Sequence, residues 1–132
     1  MIAALCAALF ASLPAKADPA RKAAIETALR EVGGHVAGVL VTPSGMGRSD
    51  YDWVAGDWRD YEPHWHTGQQ IWGLLEAHRI TRDPALKRAA IRAGRWWVST
   101  EFRSPHPLAG LVNAWHGDRI GPLINFTTIS DG

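Results

Sequence analysis

The chain has 132 residues, which suits one small domain, and 46% of them are hydrophobic, so a packed core is feasible. Its 14 basic and 13 acidic residues nearly balance, which argues against a dedicated nucleic-acid-binding protein. The single cysteine, Cys6, excludes a disulfide within the chain.

Residues 1–17 are predicted to be a secretory signal peptide. Residues 2–13 are apolar, and Ala15-Lys16-Ala17 forms a small-x-small cleavage site. The apolar run is too short for a permanent membrane anchor. Cleavage would remove Cys6 and leave 18–132 as a single secreted or periplasmic domain without membrane contact. The alternative is a buried N-terminal helix.

The next segment predicts a short amphipathic helix. Asp18-Pro19 offers a capping residue followed by a proline that is favoured at the first helical position, and Gly33-Gly34 is expected to end the helix. Residues 35–42 are rich in β-branched side chains and favour a strand or an extended segment. Residues 43–49 have a loop composition, so they are a connector or a flexible lip beside a site. The apolar face of the helix is formed by Ile25, Ala28, Leu29 and Val32.

Two antiparallel helices are predicted over 68–80 and 83–100. Thr67 opens a Ser/Thr-x-x-Gln capping box, and Asp83-Pro84 caps the second helix. The connection Thr81-Arg82 is so short that the two helices must be neighbours. Their inner faces are expected to hold Ile71, Leu74, Leu75 and His78 in the first helix, and Leu86, Ala89, Ala90, Ala93 and Trp97 in the second. The outer side of the second helix is expected to hold Lys87, Arg88, Arg92 and Arg95.

The last third of the chain predicts a loop, a further helix and a short extended segment. Residues 101–107 have a loop composition, apolar residues return to helical spacing over 108–115, and 124–129 favour an extended segment. The fold class that follows is mainly α, made of antiparallel α-hairpins with little or no β structure.

One stretch, residues 50–66, concentrates the side chains that carry chemistry, and we expect it to be an ordered loop with one helical turn. Aromatic faces beside carboxylates and imidazoles suit a ligand with apolar and hydroxylated faces, such as a sugar. The alternative is structural, because tryptophan often fills a core and aspartate often caps helices and turns. From Asp50 to His78 the chain holds four of its seven tryptophans, Trp53, Trp58, Trp65 and Trp72. The acid–base groups of the stretch are Asp50, Asp52, Asp57, Asp60, Tyr61, Glu62, His64 and His66.

The run WHTGQQIWGLLEAHRITRDPALKRAAIRAGRWW resembles one hairpin of the six-hairpin, (α/α)6-toroid glycosidase-like superfamily. The shared features are the Trp-His-x-Gly-Gln entry, the Leu-Leu-Glu-Ala stripe, the Thr-x-Asp-Pro turn and an Ala-rich second helix that ends in Trp-Trp. A full toroid has roughly twelve helices and several hundred residues, whereas this chain can supply about four. The chain is therefore either the N-terminal portion of a toroid or a small unrelated α-domain. The resemblance implies secretion, a carbohydrate substrate and acid–base catalysis.

Glycoside cleavage needs a proton donor and a second carboxylate, whereas lyases and epimerases need a base beside a carbon-bound proton. The sequence leaves hydrolase, lyase and epimerase chemistry open. We expect Asp57 or Glu62 to act as the acid and His66 to act as base or substrate ligand. A second polar–aromatic run, 113–118, is expected to face the same cleft. The predicted substrate-binding residues are Trp53, Trp58, His64, Trp65, His116 and Asp118.

Two other functions stay open. The same tryptophans would serve a non-catalytic glycan-binding module, or His64 and His66 would bind a metal with Glu62, His116 or Asp118 as a third ligand. No cofactor is indicated, since the chain lacks a phosphate-binding loop, a dinucleotide fingerprint and a nucleophile elbow. An uncovered apolar face is also expected, because a few toroid helices cannot bury their own stripes, and it predicts self-association.

Overall fold

The computed structural model describes residues 18–59 and 62–112. The prediction of a mainly α fold is confirmed, and the only β structure among these residues is one short hairpin and two isolated bridges. In chain order the elements are α1 (Pro19–His35), a π-helix (Val36–Leu40), β1 (Asp50–Asp52), β2 (Asp57–Arg59), α2 (Pro63–Thr81) and α3 (Pro84–Ser99).

The first helix begins as predicted and ends later. The Asp18 carboxylate accepts a 3.0 Å hydrogen bond from the Ala20 amide, with proline at the first helical position. Helix α1 then passes through Gly33 to His35 and continues as the π-helix, so the predicted stop is wrong. The strand or extended segment predicted over 35–42 is wrong as far as Leu40, whereas Val41 is extended and forms a bridge with Gly47. A Cβ on Gly33 would lie 3.0 Å from Leu86 Cδ1, so this glycine permits close packing on α3 and does not end the helix.

The packed face of α1 also differs from the predicted one. Ile25 and Val32 are exposed, while Leu29 and Val36 pack against the core. Of the predicted stripe, Leu29 packs against the core, where it is joined by Val36 and Ala37 of the π-helix.

The α-hairpin of α2 and α3 is present, and α2 begins at Pro63, five residues before the predicted start. Thr67 therefore lies inside the helix, where its hydroxyl donates to the Pro63 carbonyl and does not cap the helix. The two helices are antiparallel: the start of α2 contacts the end of α3, and the end of α2 contacts the start of α3. His64 Nε2 and Thr100 Oγ1 are 2.8 Å apart at the open end, and His78 Nδ1 lies 2.8 Å from the Asp83 carbonyl oxygen at the turn.

The core lies between α2, α3 and the extended residue Val41. The alanines of α3 are buried as predicted, and their small side chains let the helices approach closely. On α2 the buried apolar residues are Leu74 and Ala77, whereas Leu75 is exposed, contrary to the prediction. The core residues from α3 are Leu86, Ala89, Ala90 and Ala93.

Arg92 corrects the predicted outer face of α3. Its Nε donates to the Thr42 carbonyl at 3.2 Å and its Nη2 donates to the Ala37 carbonyl at 3.1 Å. The side chain therefore points inward and fastens the π-helix and the following loop to α3.

Residues 101–112 form turns closed by a bridge between Glu101 and Val112, so the part of the predicted helix 108–115 that is described is wrong. The Phe102 amide donates to the Leu111 carbonyl at 2.8 Å within these turns. The predicted signal peptide 1–17 and the extended segment 124–129 lie outside the described residues. Within the described part of the chain, no helix combines the length and apolar character needed to cross a membrane.

Candidate functional site

The stretch predicted as a loop is a two-stranded hairpin followed by the first turn of α2. Strands β1 and β2 pair antiparallel with Tyr51 opposite Trp58. Side chains alternate between the two sides of a strand, so these two rings share one side. Tyr51 meets Trp53 edge-on at 5.0 Å between ring centroids and Trp58 at 5.2 Å. We call Tyr51, Trp53 and Trp58 the aromatic face, and its outermost ring, Trp53, is 88% exposed.

The turn at the tip of the hairpin is held by Asp52. Its Oδ1 accepts hydrogen bonds of 2.9 Å from the amides of Val54 and Ala55, and its Oδ2 accepts one of 2.7 Å from Arg59 Nη2. The bond from the Ala55 amide, then the Arg59 guanidinium and the Val54 amide, lower the pKa of Asp52 to about 2. Asp52 thus stays ionised and orders the turn that presents Trp53.

The predicted acid Asp57 lies on the opposite side of the hairpin from the aromatic face. Asp57 is opposite Asp52 in the register and directly precedes Trp58. Because side chains alternate along a strand, the Asp57 carboxylate and the Trp58 ring lie on opposite sides of the hairpin. Its carboxylate accepts a 2.7 Å hydrogen bond from the Trp58 amide and is exposed. A sugar stacked on Trp58 would therefore not lie against Asp57, which we leave out of the proposed site.

The chain that leads into β1 runs along α2. The Gly47 amide donates to Thr67 Oγ1 at 2.7 Å, and Gln70 Nε2 donates to the Arg48 carbonyl at 2.7 Å. A Cβ on Gly47 would lie 2.8 Å from the Thr67 backbone, so only glycine allows this approach. These contacts fix the position of Arg48 relative to α2.

Several polar atoms at this contact are buried and form no hydrogen bond with the described residues. They are Arg48 Nε, His66 Nε2 and Gln70 Oε1. His66 Nε2 lies 3.6 Å from Asp50 Oδ2, which also accepts a hydrogen bond from the Ser49 hydroxyl. We call Arg48, Asp50, His66 and Gln70 the polar seam. Buried polar groups are usually paired, so three unpaired atoms on facing segments indicate a place that receives a ligand or water.

Arg48 joins the polar seam to the aromatic face. Its guanidinium carbon lies over the Trp58 ring, 5.8 Å from the centroid, within cation–π range. Over residues 18–59 and 62–112, the ion pairs within 4.0 Å do not include Arg48. By contrast, Arg59 pairs with Asp52 on the other side of the hairpin.

Glu62 and Trp65 lie next to the polar seam. Glu62 precedes α2 in the left-handed conformation, with φ 42°, and its carbonyl accepts a 3.2 Å hydrogen bond from the His66 amide. The Trp65 ring stacks on the His66 ring at 5.5 Å and 18° and is 37% exposed. The structure therefore brings Trp65 and His66 together.

His64 has a structural position. It is 1% exposed, and its ring lies 4.9 Å from Trp96. The Thr100 hydroxyl donates to the Trp97 carbonyl, so it accepts from His64 Nε2–H. Burial lowers the pKa of His64 to about 4, which keeps the ring neutral near pH 7. His64 is inaccessible to a surface ligand, and we leave it out of the proposed site.

The structure also separates the two histidines of the metal alternative. Residues two apart on a helix point in different directions, and here His64 enters the hairpin core while His66 faces Asp50. In the described ranges, no group of three or more His, Cys, Asp or Glu side chains is placed to hold a metal ion. The predicted His116 and Asp118, together with Asp60, Tyr61 and the run 113–118, lie outside the described residues.

Sequence reasoning missed Arg48 and Gln70 and gave no role to Tyr51. Arg48 was assigned to a connecting loop, and Gln70 was assigned to a capping box. One signal for Tyr51 was present, since Tyr51 and Trp53 alternate with aspartates in a pattern typical of a two-sided strand.

Comparisons with protein-family models, curated proteins and solved structures find no match to this chain. The resemblance to the toroid superfamily therefore stays a prediction that rests on the run from 65 to 97.

Proposed function

We propose that this protein binds carbohydrate and that the aromatic face is its sugar-stacking surface. The observation that carries the proposal is the exposed Trp53 indole, held by edge contacts in a three-ring cluster on a turn fixed by Asp52. Large exposed aromatic side chains mark binding sites, because leaving them in water is unfavourable. The apolar C–H face of a pyranose ring complements an indole, and its hydroxyl groups would meet Arg48, which lies over the Trp58 ring.

The toroid architecture and the export of the protein belong to the same proposal. The toroid architecture is supported by the antiparallel packing of α2 and α3, which a short connection joins, and by an apolar groove of about 410 Å³ along the two helices. A further helix pair of a toroid, or a second copy of the chain, would cover such a groove. The groove is lined by Gly68, Ile71, Trp72, Leu75, Gly94, Trp97 and Val98.

The test is polysaccharide binding by Trp53→Ala, with Trp72→Ala as the matched control. Both indoles are largely exposed, Trp72 at 72%, but Trp72 lies on α2 in the apolar groove. We expect Trp53→Ala to weaken binding about tenfold or more, as for a central aromatic anchor, and Trp72→Ala to leave it unchanged. Affinity electrophoresis against a panel of soluble polysaccharides measures the effect. A wild-type protein that binds none of them, or equal affinities for the two variants, would overturn the proposal.

Acid–base catalysis is a second candidate, at a place apart from the ring that stacks on the aromatic face, because Asp50 shares the Asp52 side of the hairpin. The observation that favours it is the His66–Asp50 pair beside the stacked Trp65 ring. A carboxylate that orients an imidazole is a common arrangement for a general base. Asp50 then takes the partner role, Glu62 remains a candidate acid beside it, and hydrolase, lyase and epimerase chemistry remain open.

A further inference from the structure

We propose that Arg48 makes the site selective for acidic sugars, namely uronic acids whose carboxylate pairs with its guanidinium. This inference rests on the proposed carbohydrate binding and adds the class of ligand. Arg48 lies where the polar seam meets the aromatic face, with its guanidinium 5.8 Å from the centre of the Trp58 ring.

The first support is the electrostatic state of Arg48. Its Nε is buried without a hydrogen bond, and no carboxylate of the described residues forms an ion pair with it. A partly buried guanidinium without an anion is unfavourable, because desolvation is not offset by pairing. A ligand carboxylate would supply an anion that the described residues do not, and it would form charge-assisted hydrogen bonds with the terminal Nη groups, since Nε is buried.

The second support is how rigidly Arg48 is held. The Arg48 amide donates to the Leu40 carbonyl at 2.9 Å, and the Arg48 carbonyl accepts from Gln70 Nε2 at 2.7 Å, so the peptide groups on both sides of Arg48 are hydrogen-bonded. The side chain in turn lies over Trp58. An arginine fixed in this way loses little conformational entropy when it pairs with an anion, which favours selective binding.

The third support is the distribution of charge around the hairpin. Asp50, Asp52 and Asp57 occupy strand positions opposite to the aromatic face, so their carboxylates do not crowd a ligand stacked there. Arg59 is occupied by Asp52. Arg48, which has no ion pair with the described residues, suits a ring with one carboxylate, whereas a phosphate polymer would need a row of cations.

The experiment compares polygalacturonate with its fully methyl-esterified form, which has the same sugars without the charge. We expect the wild-type protein to bind the acid about tenfold more tightly than the ester. Arg48→Gln should abolish this preference and keep the weaker binding of the ester, while Arg48→Lys should keep part of the preference because it retains the charge. Arg88→Gln is the control, because Arg88 is an exposed cation on α3.

Failure of this inference and failure of carbohydrate binding give different results. Equal binding of acid and ester by the wild-type protein, with loss in Trp53→Ala, overturns acid selectivity and leaves the aromatic site intact. A preference that survives Arg48→Gln, or that Arg88→Gln also abolishes, overturns the role of Arg48. Failure to bind either form overturns the uronate proposal, and failure on the whole polysaccharide panel overturns carbohydrate binding too. Circular dichroism melting curves confirm that each variant is folded.

Discussion

The amide of Gly47 donates a 2.7 Å hydrogen bond to the side-chain oxygen of Thr67, twenty residues later in the chain. The Thr67 hydroxyl then donates to the Pro63 carbonyl, so the bond joins the entry to the hairpin to the first turns of α2. Both groups are buried, where a lost hydrogen bond leaves unsatisfied polar atoms. Arg48 is the next residue, so this contact sets the position of the proposed carboxylate-binding group.

Gly47→Ala should destabilise the protein by about 1–3 kcal/mol, because overpacking of a tight contact costs that much. The added Cβ would lie 2.7 Å from Gln70 Oε1 and 2.8 Å from the Thr67 backbone, and helix backbone cannot move aside easily. Urea denaturation followed by circular dichroism measures the change in the free energy of unfolding.

Gly34→Ala is the control for this substitution. Gly34 lies in α1 with open space around its Cβ position, so alanine should raise the free energy of unfolding by about 0.5–1 kcal/mol through helix propensity. If both variants were equally stable, the close contact at Gly47 would not constrain the fold.

The α-hairpin could be predicted because its signals are local. Asp83 caps α3, and its carboxylate accepts from the Ala85 amide at 2.8 Å as the Asp-Pro pair indicates. Arg82 ends α2 in the left-handed conformation, with φ 58°, and leaves only two residues between the helices. Spacing alone then identified the buried alanines of α3.

The candidate site could not be predicted in the same way, because contacts distant in sequence decide it. Arg48 reaches Trp58 and its carbonyl is held by Gln70, and no local pattern encodes these pairings. Residues 35–42 were predicted as a strand or an extended segment from their β-branched content, but helix continues to Leu40, where Val36 packs on the core. On an extended segment, His64 and His66 would lie on the same side. Because α2 begins at Pro63, both residues are helical and their side chains point in different directions.

Arg92→Met should lower the free energy of unfolding by about 2 kcal/mol. The substitution keeps much of the aliphatic stem and removes both hydrogen bonds to the Thr42 and Ala37 carbonyls, which are made by a charged donor. Thermal and urea unfolding of the variant measure the loss.

Arg88→Met on the same helix is the matched comparison. Arg88 is exposed and has the same chemistry, so its replacement should change stability by less than about 0.5 kcal/mol. A similar loss in both variants would mean that the contacts of Arg92 contribute nothing specific.

Asp50→Asn and His66→Gln should abolish turnover and spare binding if the pair performs acid–base catalysis. Each replacement is nearly isosteric and removes the proton-transfer capacity of one member of the 3.6 Å pair. Release of reducing or unsaturated sugars, measured beside affinity, separates the two effects. Asp57→Asn is the control, because Asp57 lies on the same side of the hairpin as Asp50 and forms no ion pair with His66. A loss of turnover in that variant alone would restore Asp57 as the acid.

The buried His64 should make stability depend on pH. Burial lowers its pKa from the ordinary 6.5 to about 4, so between these values the unfolded chain binds more protons than the folded one. The contribution is fully present above pH 6.5 and is lost as the pH falls toward 4, with a limiting slope of about 1.4 kcal/mol per pH unit. His64→Gln keeps an N–H donor for Thr100 and cannot titrate, so its free energy of unfolding should vary less over this range. Urea titrations at pH 4.5, 5.5, 6.5 and 7.5 compare the two proteins, and an equal slope in both would assign the pH dependence to other groups.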